Sequence, residues 1–241
     1  MRVAALADVH GNAVALEAVL AEVKREQPDL VVSCGDLTWG PLPFETVALL
    51  EPWREQLLCV SGNSERELVQ RQLVDSEIAR WEHEQHDHPE LAGYLERTQP
   101  TVTVAVNGLG ATLFCHGSPR SDEECVTVET PAARVAEFTA GVDAACVVTA
   151  HTHMQYDRNV GETRLLNSGS VGLPYELEPG YAYWALLGPD VELRRTPYDL
   201  DAAIGRLRAG GMPNFERIEE LMRTPPQAEV IEHAERVVFA G

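Results

Sequence analysis

The sequence predicts an α/β fold in one domain, and three observations carry this. Short apolar runs at residues 3–7, 30–34 and 57–60 alternate with helix-period segments, as parallel strands joined by crossover helices require. Strand-like segments then follow one another closely from about residue 101 to 195, which points to antiparallel or mixed pairing and a second sheet. With 241 residues, of which 44% are hydrophobic, the chain is long enough for one such core with a small insertion.

Taken in order, the first crossover is predicted as a helix over Ala13–Glu26, with Val14, Ala18, Val19 and Val23 as its apolar face and Pro28 closing it. Residues 65–97 turn charged and helical, with Trp81, His83, His86, His88 and a breaking Pro89, and read as a helical insertion or lid. Asn107-Gly108-Leu109-Gly110 between two apolar stretches is a hairpin signal. A helix is expected near 131–139, then an apolar run at 145–150 and strands near 155–159, 163–167, 181–187 and 191–195. Residues 199–241 read as a helical C-terminal extension, punctuated by Gly210-Gly211 and Pro225-Pro226, with no chemistry of its own.

Composition narrows the function. No stretch approaches the roughly 18 to 20 apolar residues of a membrane span, and Met1-Arg2-Val3 leads into a strand rather than a signal peptide, so a soluble cytoplasmic protein without a membrane partner is expected. Five cysteines, Cys34, Cys59, Cys115, Cys125 and Cys146, lack C-x-x-C spacing and read as reduced thiols, not disulfides or thiolate ligands. A formal charge of −19 repels nucleic acid in bulk, so an anionic substrate needs a local positive centre.

The chemistry lies at the ends of the apolar runs. Asp8 and His10 come after the first, Gly35-Asp36 after the second and Gly62-Asn63 after the third; His116 succeeds Cys115, and His151-Thr152-His153 succeeds residues 147–150. Sheets of this type gather ligand sites at the carboxyl ends of their strands, so these residues are expected to converge. Spaced two apart on a strand-like continuation, Asp8 and His10 would face one way, as would His151 and His153. Gly35 and Gly62 suit tight turns. Carboxylates, an amide and imidazoles without a thiolate favour Mn, Fe, Zn, Co or Ni over Ca and Mg. Singly, Asp36 or Asn63 fits a turn or cap and His116 a core histidine; five such segments in one order do not fit that explanation.

These segments resemble the calcineurin-like metallophosphoesterases, whose pattern is D-x-H, GD, GN, H and GH-x-H in this order, and residues 167–172 (Asn-Ser-Gly-Ser-Val-Gly) look most like the small bacterial phosphodiesterase branch. The resemblance covers about residues 1–190. It implies a four-layer α/β/β/α sandwich of two mixed sheets flanked by helices. It also implies two divalent metal ions, one on Asp8, His10, Asp36 and His153, the other on Asp36, Asn63, His116 and His151, with Asp36 bridging. Asp36, Asn63 and His116 would be catalytic, and a bridging hydroxide would attack phosphorus in line. Asn63 and Arg120 are the candidate contacts to a small phosphate-ester substrate.

Three departures bear on the activity. Ser64 stands where larger members carry a histidine that protonates the leaving group, which implies either a preference for phosphodiesters or good leaving groups, or a different acid. Gly35-Asp36-Leu37-Thr38-Trp39-Gly40 lacks the arginine of protein phosphatases and diadenosine tetraphosphatases, and Ala150 replaces a glycine. A phosphodiesterase is therefore expected. A phosphatase or dinucleotide polyphosphate hydrolase is the alternative, and a non-catalytic scaffold or sensor the alternative of another class. His83, His86 and His88 are read as a solvated face, Trp39 as core, and residues 167–172 as a tight turn or an amide lining of the site.

Overall fold

A computed structural model describes residues 1–71 and 76–234, so part of the expected 65–97 insertion and the end of the 199–241 extension lie outside the described residues. β1 (Val3–Leu6), β2 (Leu30–Ser33) and β3 (Leu57–Cys59) pair in parallel, linked by α1 (Ala13–Glu26) and α2 (Pro43–Leu50). Residues 60–62 lead from the short β3 into α3 (Asn63–Gln70), followed by α4 (Glu77–His86) and α5 (Pro89–Leu95).

A hairpin of β4 (Val102–Val106) and β5 (Gly110–Phe114) opens the second sheet, turning on residues 107–109 as their Asn-Gly signal predicts. After α6 (Ala132–Phe138), β6 (Cys146–Thr149) pairs in parallel with β5 and with β8 (Thr163–Asn167), which carries β7 (Tyr156–Val160) antiparallel at the edge. β9 (Tyr181–Leu187) and β10 (Val191–Pro197) do not continue this sheet. They return to the first, with β9 antiparallel to β1, giving the orders β10-β9-β1-β2-β3 and β4-β5-β6-β8-β7. The close spacing of strands 7 to 10 reads as one meander; the structure divides it between two sheets because β9 alternates no polar residue and must be covered on both faces. α7 (Leu200–Ala209), α8 (Phe215–Arg223) and α9 (Gln227–His233) complete the described chain.

Alternation along the strands builds the layers. Val3 and Ala5 of β1 face inward with Val32, Phe114, Val148 and Leu166, forming the core between the sheets. Ala4 and Leu6 face outward onto α1, and Val147 and Leu165 of the second sheet face outward onto Val135 and Phe138 of α6. The result is the expected four-layer α/β/β/α sandwich. The buried face of α1 is Ala15, Leu16, Val19, Leu20 and Val23, so the expected face is corrected at Val14 and Ala18, which lie toward its flank. Among the described residues no helix is long and apolar enough to cross a membrane. Four cysteines are buried, Cys125 is partly so, and all five are free thiols.

Candidate metal centre

All seven expected donor residues stand at the ends of β1, β2, β3, β5 and β6 on one edge of the sandwich. Asp8 and His10 are not a strand continuation: both take left-handed backbone, as do Asp36, His151 and His153, with φ between 49° and 64°. Such conformations are unfavourable for these residues and persist where the surroundings fix them. Here the Asp8 and His10 N–H groups donate to the carbonyls of Gly35 (3.0 Å) and Asp36 (3.0 Å), and Gly172 N–H donates to Asp8 O (3.0 Å). The 167–172 turn therefore latches the rim from behind: Ser170 Oγ also donates to Asp8 O, and Asn167 Nδ2 to Ala150 O. Gly62 has ordinary negative φ; it is needed for clearance, since a Cβ there would lie 2.1 Å from Asp36 Oδ1.

The donor atoms form two groups. Nε2 of His153 lies 3.2 Å from Nε2 of His10 and 3.4 Å from Asp8 Oδ1. Nε2 of His116 lies 3.1 Å from Asn63 Oδ1 and 3.1 Å from His151 Nδ1. Asp36 Oδ2 stands between the groups, 3.8 Å from His10 Nε2 and 3.6 Å from His116 Nε2. Asp8 Oδ1 also comes within 4.0 Å of His116 Nδ1, but that nitrogen donates to Cys34 O at 2.8 Å, so the lone pair of His116 faces Asn63, His151 and Asp36 instead. His153 Nδ1 likewise donates to Leu173 O at 2.6 Å, directing the Nε2 lone pair at His10.

This arrangement suits divalent cations. Ring nitrogens of paired histidines lie 3.1–3.2 Å apart, and Asp8 Oδ1 and His10 Nδ1 are buried without a hydrogen-bond partner, a set of donors that a cation would satisfy. Burial, with His153, lowers the His10 imidazole to about 4; burial, with His116, does the same to His151. Burial would raise the carboxyls of Asp36 and Asp8, yet the imidazoles of His116 and His10 around the one, and of His153 and His116 around the other, hold both below the usual range. The shifts at Asp8, Asp36, His10 and His151 all favour the deprotonated form that a metal takes. His116 shifts the other way: burial opposes its protonation, but Asp36 and Asp8 outweigh it and raise its pKa.

Several contributors escape the motif. Ser64 donates to Asp36 Oδ1 through its hydroxyl (2.6 Å) and its N–H (3.1 Å). Glu65, fully buried, accepts from the N–H groups of Asp36 (2.9 Å), Leu37 (2.8 Å) and Gly62 (2.8 Å), so one carboxyl ties the loops carrying Asp36 and Asn63 together; burial and then Asp36 push it up to about 7. Its position three residues after Gly62 was the available signal. His86 is buried, not solvated: it bonds Thr38 Oγ1 at 2.9 Å, while Glu82 accepts from Gly40 N–H at 3.0 Å, so α4 clasps the loop after Asp36. His83 is partly exposed and His88 exposed. Trp39 is half-buried beside His10, edge-on at 5.5 Å, rather than in the core. Arg120 is exposed and bonded through Nε and Nη2 to Glu124, beside a neighbouring hollow that His116 also borders.

The calcineurin-like phosphoesterase superfamily domain model matches residues 1–187. The chain belongs to this family. It is a metal-dependent phosphoric ester hydrolase, and Asp8 with His10 and His153, and Asp8 with Asp36 and His116, form groups able to hold a metal ion. A metallophosphoesterase from Sphaerobacter thermophilus is 25% identical, with TM-score 0.72 over 93% of this chain and 99% of that one. A hypothetical protein from Pyrococcus horikoshii OT3 is 19% identical, with TM-score 0.78 over 92% and 97%. A structure described as a novel archaeal phosphodiesterase is 16% identical, with TM-score 0.51 over 81% and 99%. No curated protein matches the sequence.

Proposed function

We propose that this phosphoesterase is a phosphodiesterase working with two divalent cations, from the set Mn, Fe, Zn, Co or Ni. Asp8, His10, His153 and Asp36 would hold one, and Asp36, Asn63, His116 and His151 the other. Bound cations supply an acidified water at neutral pH and offset the negative charge that builds on the phosphoryl oxygens. The chain's residues orient that chemistry. Ser64 pins Oδ1 of Asp36 and so leaves Oδ2 to be shared by both donor groups. Cys34 and Leu173 carbonyls set the tautomers of His116 and His153. With its Oδ1 turned to the cluster, Asn63 keeps its amide N–H for a phosphoryl oxygen.

The preference for a diester is carried by Ser64. Its hydroxyl is committed to Asp36, and among the described residues the imidazoles that line the cleft with Asn63 are His10, His151 and His153, all assigned above to the cations. Arg217, the one arginine lining the cleft among those residues, is paired with Glu220 at 2.6 Å. A diester carries one charge where a monoester dianion carries two, and so asks less of the cleft beyond the cations.

Mn-loaded protein is expected to hydrolyse bis-p-nitrophenyl phosphate with kcat/KM about tenfold or more above p-nitrophenyl phosphate. Asp36→Asn should lose at least about a thousandfold in kcat and one metal equivalent by elemental analysis. Monoester preference would overturn the diesterase reading; full metal loading without turnover of either ester would indicate a scaffold or sensor.

A further inference from the structure

The cleft above the donor cluster, about 300 Å³, has a second wall drawn from outside the matched family region. One side is the rim of His10, Asp36, Asn63, His151 and His153. The opposite side comes from the α7–α8 connection and α8: Met212, Pro213 and Asn214, then Arg217, Ile218 and Leu221. Expected to carry no chemistry, the C-terminal segment reaches the site.

Two features show that this wall is built and not merely adjacent. α8 is anchored through Phe215 and Met222, 3% and 4% exposed, into a cluster with Ile204 and Leu207 of α7 and Ala13, Leu42 and Leu173 of the body. That leaves Ile218 and Leu221, partly buried at the cluster's edge, turned to the cleft. On the rim side, Tyr175 stacks on His153 with centroids 4.5 Å apart and planes 23° apart, and Trp39 meets His10 edge-on. The space between is therefore faced by flat rings on one side and aliphatic groups on the other.

We propose that this wall selects the ester group of the substrate, and that the site takes phosphodiesters whose ester group is planar and largely apolar, an aryl group or the like. The inference rests on the phosphodiesterase reading. With Arg217 held by Glu220, the wall presents apolar surface and an amide: Asn214, whose side chain makes no capping bond to α8, lines the same space. Rings and aliphatic groups around a cleft of this volume favour a flat guest through burial of apolar area over a strongly hydrated guest of the same size.

Two measurements on the full-length Mn-loaded protein test this. Calorimetric binding of phenylphosphonate is expected to be about tenfold tighter than of methylphosphonate, and Ile218→Ala and Leu221→Ala should each cut this ratio about threefold or more without lowering the melting temperature enough to unfold the protein. In turnover, bis-p-nitrophenyl phosphate should show a KM about tenfold below methyl p-nitrophenyl phosphate; both release the same phenolate, so the difference reports the retained group. Equal binding of the two phosphonates, binding of neither, or a ratio unchanged in both variants overturns the wall. Diester turnover at equal KM overturns it while leaving the phosphodiesterase reading standing, and phenyl preference in binding without any diester turnover does the reverse.

Discussion

The two walls of the cleft are held by different forces. The rim is latched through main chain and buried carboxyls: Asp8 to Gly35, His10 to Asp36, Gly172 to Asp8, and three N–H groups onto Glu65. The C-terminal wall rests on an apolar cluster and exposed ion pairs, with Arg208 bonded to Glu216 and Glu219 and Arg223 to Asp201. Directional hydrogen bonds in a water-poor setting fix atoms to fractions of an ångström, as metal donors require; apolar packing fixes shape and tolerates change. Chemistry and selectivity are thereby placed on parts of the chain that can vary independently.

Substitutions should separate the two. The largest effect is expected on the rim, from Gly62→Ala: the new Cβ would fall 2.1 Å from Asp36 Oδ1, so the carboxylate must shift, and diester turnover should drop by about a hundredfold or more while circular dichroism keeps its native shape. Unchanged turnover would mean the rim is as adaptable as the wall.

Between the walls, α4 touches the loop after Asp36 through Glu82. Burial raises the Glu82 carboxyl well above its ordinary value, and the N–H of Gly40 lowers it only in part. Because its folded pKa exceeds the unfolded one, the folded protein binds the extra proton, and the associated stability is fully present below the unfolded pKa and declines as pH rises toward the folded one. Glu82→Gln, which keeps an acceptor for Gly40, should flatten the fall in urea-unfolding free energy above about pH 5. An unchanged slope would show that Glu82 is ionised in the fold.

The smallest effect belongs to the wall. Arg208→Ala removes two exposed pairs and a guanidinium 5.2 Å from the Phe215 ring, and should lower stability by about 1 kcal/mol or less in the same unfolding assay, with rim chemistry unaffected. A loss of several kcal/mol would show that ion pairs, not the apolar cluster, hold α8.

Much of this was legible in the sequence where chemistry and local pattern coincide. Asp8, His10, Asp36, Asn63, His116, His151 and His153 each come after an apolar strand, and the structure brings them to one edge. The left-handed backbone of Asp8, His10, Asp36, His151 and His153 was not legible, because it is a minority conformation even for Asp and His and bonds such as His10 N–H to Asp36 O hold it. Glu65 and His86 look like ordinary charged helix residues until their burial against the Asp36 loop is seen. Arg120, which its place after His116 marks as a substrate contact, is tied to Glu124.

By itself the sequence determined the α/β class, the helix Ala13–Glu26, the 107–110 hairpin turn and the order in which metal-type donors leave their strands, since periodicity and residue chemistry are local properties. Only the tertiary structure decided that β9 returns to β1, that Ser64 serves Asp36, and that Ile218 and Leu221 face a cleft rimmed by Asp36. These depend on contacts between residues far apart in the chain, whose energy comes from burial and pairing across the fold and leaves no periodic mark on either segment.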